Sequence, residues 1–435
     1  MGTPKFRAAA LVRWHGVARY VDTEIANLRE GLRLGYTQPK ANARMVVAQL
    51  DEVLKSPAER SPFAGIADRD SAPGFRDSVV AIVAREIIPA ATRYRDFLVS
   101  EYIPKARSTT ALSALPNGAE CYRASVRQFT TVDKDARAIN QLGLQQMAAI
   151  EAEARPLAQR SFGSADLPAV YQRLRTDSTF GSREQIIASA EAAIGRAKTA
   201  MPRWFGRLPR GDLIVDPCLA FEEKGGCPNS YVPGTPDGKR PGRWRINASN
   251  TPPQPRAPLE GIAFHETIPG HHLQIALAQE RGNAHPITRY LVFSGFTEGW
   301  GLYAERLAVE MGLYSGDLDR FGELGQQALR AARLVVDPGL AVLGWSRQQA
   351  VDYMMAHVPS SRAAVESEVD RYIANPGQAT AYMIGRLEIE RLRDEAQRRL
   401  GKKFDIREFH DRVLESGNVP LSFLRAHVEA WLCGT

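Results

Sequence analysis

Apolar residues recur at helical spacing along almost the whole chain, and one Pro/Gly-rich stretch, 211–258, interrupts them. That contrast limits the fold more than any other feature of the sequence. Segments 17–34, 44–54, 76–100, 136–156 and 185–200 each carry the helical period. Pro62 to Gly65, Pro116-Asn117-Gly118 and Pro202 to Pro209 punctuate them. Ser182 with Gln185, ahead of IIASAEAAI, matches a capping box. Within the interruption, DLIVD is a short β-like run, Pro236-Asp237-Gly238 and Pro241-Gly242 are turn signals, and RWRIN at 243–247 alternates as a half-buried strand would. From Leu259 the helical pattern returns, broken by Pro286, by VDPG at 336–339, by Pro359 and by NPGQ at 375–378. The expected fold is therefore mainly α and multi-helical, with two halves around a cleft. It has a helical region 1–210, a small irregular β/loop element 211–258, and a helical region 259–435 that carries the chemistry, in one integrated catalytic unit.

Composition narrows the function. The chain has 435 residues and a net charge of +7. Its arginines alternate with acids, as in RLEIERLRDEAQRRLGKK at 386–403, which marks a solvated helix face. No basic patch is interleaved with stacking aromatics, so nucleic acid is not an expected partner. No apolar run approaches the ~20 residues of a membrane span. The N-terminal apolar run is interrupted by Arg13 and His15, unlike a signal peptide. Cys218 and Cys227 bracket the loop DPCLAFEEKGGCPNS, which could close as a disulfide in an oxidising compartment. Cys121 and Cys433 read as packing residues or free thiols.

Three of the eight histidines lie in HETIPGHH, residues 265–272. Zinc at a catalytic site usually takes three imidazole or carboxylate ligands and a water. In the common helical motif two histidines stand four apart, and the Glu after the first is the general base. Here the fourth position is Pro269. On an unbroken helix His271 would sit well round the axis from His265, and His272 about 10 Å further along it. Pro269 cannot donate to the His265 carbonyl, and Gly270 adds freedom beside it. A bulge absorbing two residues would then bring His271 to the ligand position; a helix ending at Ile268 would leave both histidines in a surface turn. Downstream, FTEGWGLYAERLAVEMG supplies Glu298 and Glu305 on one face of a second helix, and a carboxylate there is the natural third ligand. Gly299 and Gly301 would let that helix approach closely.

HETIPGHHLQ, FTEGWGLYAE and PGQATAYMIGRLEIERLR at 376–393, with DGKRPGRWRIN before them and RLVVDPGLAVLGWSRQQAVDYM at 333–354, resemble the bacterial proteins grouped as domain of unknown function 885. That family resembles the gluzincin-type zinc peptidases. The resemblance implies zinc as cofactor, with His265 and His271 as ligands, Glu298 as third ligand and Glu266 as base; His272 stays open as the alternative ligand. It implies Tyr382 as oxyanion donor. Arg386, four residues on, is a candidate for a substrate carboxylate. Glu305 is a candidate to orient a ligand histidine. The strand around 243–247, with Trp244, is a candidate to hold an extended peptide by edge pairing. Family members commonly have a His after VDPGL where this chain has Ala341, and often a longer start behind a secretion signal. The expected function is a metallopeptidase for short peptides, in an extracytoplasmic setting. A non-catalytic binding protein and a metal-dependent ester or amide hydrolase are the alternatives.

Overall fold

The computed structural model describes residues 2–176, 178–218, 223, 227–281 and 291–434. It is mainly α, 71% helical, with one small three-stranded sheet. The chain divides into two compact units, Met1–Gly118 and Ala119–Thr435.

In the first unit the helix Pro4–Leu34 is capped by Thr3, whose side chain accepts from the Phe6 N–H, and ends at Gly35 in the left-handed conformation. The segment Phe75–Lys105 stays helical through two π turns, Val83–Ile87 and Leu98–Tyr102. Pro89 and Pro104 follow these turns, and a wider turn accommodates a residue that has no N–H to give.

In the second unit the helix Ala136–Phe162 lies along Asp317–Ala341. A Cβ on Gly143 would stand 2.7 Å from Leu334 Cβ, so only glycine permits that approach. The compact units part at residue 118, and 136–200 supplies helices that pack on the later chain. Ser182 caps the helix Arg183–Ala200, while the Gln185 side chain accepts from Gly181 N–H. The VDPG stretch does not stop its helix, which runs through Pro338 to Ala341 before Val342 and Leu343 both donate back to the Pro338 carbonyl. The expected break at Pro286 lies outside the described residues.

The expected β element is present as β1 (Leu213–Pro217), β2 (Ser230–Val232) and β3 (Gly242–Ile246). β3 is central, parallel to β1 and antiparallel to β2. Cys218 and Cys227 are disulfide-bonded across a loop that lies mostly outside the described residues, while Cys121 and Cys433 are free thiols. Among the described residues no helix is long and apolar enough to cross a membrane.

Candidate metal centre

The motif helix, Leu259–Glu266, stops one residue after His265. Thr267 leaves helical geometry, the Ile268–Pro269 peptide is cis, and a new helix begins at His271. Neither a bulged continuous helix nor a surface turn describes this: the helix is broken outright, yet His271 and His272 are both buried. The break folds His271 back on His265, their ring centroids 4.6 Å apart. Gly270 is what permits it, since a Cβ there would fall 2.0 Å from the His265 carbonyl oxygen. Trp300 Nε1 donates to the Pro269 carbonyl at 2.9 Å, and His272 N–H to the Thr267 carbonyl at 2.9 Å, so the turn is tied at both ends.

Glu298 arrives on the helix Ser294–Glu310. Its Oε2 stands 3.4 Å from His265 Nε2 and 3.6 Å from His271 Nε2. Ligand atoms 2.0–2.1 Å from one tetrahedral ion lie about 3.4 Å apart, so this donor set fits zinc in spacing and in chemistry. His265 Nδ1 donates to Glu305 Oε1 at 2.7 Å, which fixes the tautomer that leaves Nε2 facing Glu298. Burial alone would depress His265, but Glu298 and Glu305 raise it to about 9. Burial pushes the Glu298 carboxyl up, and the two imidazoles outweigh it, holding the group well below the carboxylate range. The three groups therefore form an electrostatic trap for one positive charge.

Close helix crossing sets this geometry. A Cβ on Gly301 would lie 2.7 Å from His265 Nε2. On the other side Gly299 meets Gly385 of the helix Ala381–Leu400, and a Cβ on Gly385 would fall 1.8 Å from the Gly295 carbonyl oxygen. The expectation that glycines let the Glu298 helix come close is met.

His272 turns away from the cluster. Its Nδ1 accepts from the Tyr231 hydroxyl of β2 at 2.9 Å, and burial lowers it to about 4. It anchors the sheet to the motif, which leaves His271 as the candidate ligand in this geometry. Glu266 is half-buried, and among the described residues no side chain hydrogen-bonds its carboxylate. Tyr382 stacks on His265 at 6.4 Å, and burial raises its hydroxyl, which keeps the proton on.

Two expected substrate contacts are displaced. Trp244 is fully buried on a central strand whose two edges are taken by β1 and β2, so neither it nor 243–247 can pair with a peptide. Alternation identified the strand but not its neighbours. Arg386 donates to Glu390 Oε1 at 2.9 Å and to Gln327 Oε1, which occupies its guanidinium.

Residues 2–428 match the profile of the family described as bacterial protein of unknown function, DUF885. This chain belongs to that family. No curated protein matches it. A crystal structure of a candidate lipoprotein from Colwellia psychrerythraea superposes with a TM-score of 0.92 at 28% identity, covering 100% of this chain and 77% of the other. A candidate lipoprotein of unknown function from Shewanella oneidensis shares the fold, with a TM-score of 0.72 at 18% identity over 96% of this chain and 77% of that one.

Around Tyr382 this DUF885 chain places two buried arginines that the sequence reading gave no role. Arg333 lies over the ring at 4.5 Å and Arg330 at 5.7 Å. Both come from Asp317–Ala341, where a period of three to four in an amphipathic helix reads as an ordinary charged face. Only the packing of that helix puts them at the site.

Proposed function

We propose that this protein is a zinc-dependent hydrolase, a metallopeptidase acting on short peptides. The observation that carries the reading is the convergence of His265, His271 and Glu298, with ligand atoms 3.4 and 3.6 Å apart and a carboxylate orienting His265 from behind. Those three residues would hold the ion. A zinc ion bound there supplies Lewis acidity, polarising a carbonyl oxygen and making water more acidic. Glu266, next to His265 and partly open, takes a proton from water and returns it to the leaving amine. Tyr382, protonated and lacking a side-chain partner among the described residues, donates to the carbonyl oxygen as it gains charge. The gluzincin resemblance is supported by this His, His, Glu set with its trailing base.

The first test is metal content on untagged protein. About one zinc per chain is expected, absent from His265→Ala. Glu266→Gln should keep the ion and lose about 10²–10⁴-fold in turnover; unchanged turnover would remove Glu266 from its role. Peptide and ester panels on one preparation separate peptidase from esterase. An extracytoplasmic location is supported by the Cys218–Cys227 disulfide and by the relatives described as candidate lipoproteins.

A further inference from the structure

We infer that Arg333, assisted by Arg330, forms a carboxylate-binding subsite beside the metal centre, so that the enzyme removes one or two residues from the free C-terminus of a peptide. The inference deepens the hydrolase reading and rests on it.

Both arginines are more than nine-tenths buried, 7% exposed at Arg333 and 8% at Arg330. Such side chains normally use every N–H. These do not. Arg333 donates from Nε and Nη2 to Glu368 and from Nε to the Tyr372 hydroxyl, while Nη1 has no acceptor. Arg330 reaches Gln326 through Nη1 and Glu305 Oε1 at 3.5 Å through Nη2, while Nε has none.

The charge count agrees. Glu368 is shared between Arg333 and Arg371, and Glu305 between Arg330 and His265. Three guanidiniums thus face two carboxylates, one of which is also engaged by a metal-ligand candidate. A planar carboxylate is the anion that a guanidinium's paired N–H groups fit best.

Distance sets the substrate class. His265 to Tyr382 is 6.4 Å between ring centroids, and Tyr382 to the Arg333 guanidinium carbon is 4.5 Å. An extended chain advances about 3.3–3.6 Å per residue, so these spans bound the reach from His265 to Arg333 at a few residues, and a carboxylate at Arg333 would belong to the end of a peptide cleaved beside Tyr382. Hydrolysis there consumes one water. The amide bond breaks, the shortened peptide gains a carboxyl group, and an amino acid or dipeptide leaves with a new amine.

The test compares N-blocked peptides of one sequence ending in a free carboxylate or in an amide, on the zinc-loaded full chain, with products identified by mass. Release of one or two C-terminal residues is expected, with the amide at least about tenfold slower, the scale of one charged hydrogen bond. Equal rates, or cleavage only at internal bonds, would overturn the subsite while leaving the hydrolase intact. Arg333→Met should erase the preference for the free acid. Because Arg333 also holds Glu368, Arg333→Lys serves as a folded control that keeps charge and loses the paired geometry. Binding is read separately by calorimetry on zinc-loaded Glu266→Gln with the same two peptides. Tighter binding of the acid without turnover by the wild type would keep the subsite and defeat the peptidase reading. Equal affinity for acid and amide would defeat the subsite.

Discussion

The N-terminal unit and the unit that holds the candidate metal centre are both helical and both carry exposed ion pairs, yet among the described residues only the second buries whole charged residues. In the first, Arg29–Glu101 and Arg93–Asp22 are pairs whose four side chains are 41–54% exposed. In the second, Glu305, Glu323, Asp337, Arg330 and Arg333 are almost wholly buried. Exposed pairs contribute little because water and salt screen them. Buried ones are strongly destabilising when broken, and a chain that carries several spends stability to hold groups in place. The contrast teaches that helices alone do not distinguish the units: part of the desolvated charge, Glu305 with Arg330, stands directly behind His265 of the candidate metal centre.

The glycines give the sharpest break of that comparison. Gly385→Ala should be strongly damaging, because its methyl would collide with the backbone of Gly295 and Gly299; a loss of about 3 kcal/mol or more is expected in denaturant unfolding, at the upper end of overpacking costs. Gly16 lies within the helix Pro4–Leu34 with nothing within 4 Å of a Cβ, so Gly16→Ala should stabilise by about 0.5–1 kcal/mol. The same change with opposite signs would separate an open helix surface in the first unit from a close helix crossing in the second.

Glu305→Gln comes next. It keeps the shape but removes the charge that orients His265 and balances Arg330, and zinc affinity should fall about 10–100-fold in chelator competition. Retained affinity would demote the buried carboxylate to packing.

His410 predicts a pH effect. Burial depresses it to about 3, and as a neutral ring it donates from Nδ1 to the Trp204 carbonyl and accepts from the Tyr303 hydroxyl at Nε2. A depressed histidine contributes stability that is complete above its unfolded value near 6.5 and is lost as the pH falls towards 3. The slope is about 1.4 kcal/mol per pH unit. His410→Gln should flatten that limb of the stability curve while lowering the plateau. The smallest effect is expected at Arg29→Ala, a slight loss of stability in denaturant unfolding that shrinks further in high salt.

Much of the site was legible in order along the chain. HETIPGHH offered candidate ligands and a candidate base, and the downstream helix offered Glu298 and Glu305 at the spacing that puts them on one face. The form of the turn was not legible: Pro-Gly signals a departure from the helix, but whether the chain bulges or breaks depends on whether Gly270 can press against the His265 carbonyl. Trp244 shows the same limit. Alternation marks a strand, and only pairing says which strand lies in the middle.

The arginines divide the two kinds of knowledge most clearly. By itself the sequence determined the helical architecture and the β element ahead of the motif, because these follow from periodicity within single segments; the candidate metal ligands came with the family resemblance, His271 and His272 both open. The tertiary structure alone decided that Arg386 is engaged by Gln327 and Glu390 while Arg330 and Arg333 keep free N–H groups beside Tyr382. A guanidinium takes the nearest acceptor, and which acceptor is nearest is set by how helices distant in sequence cross.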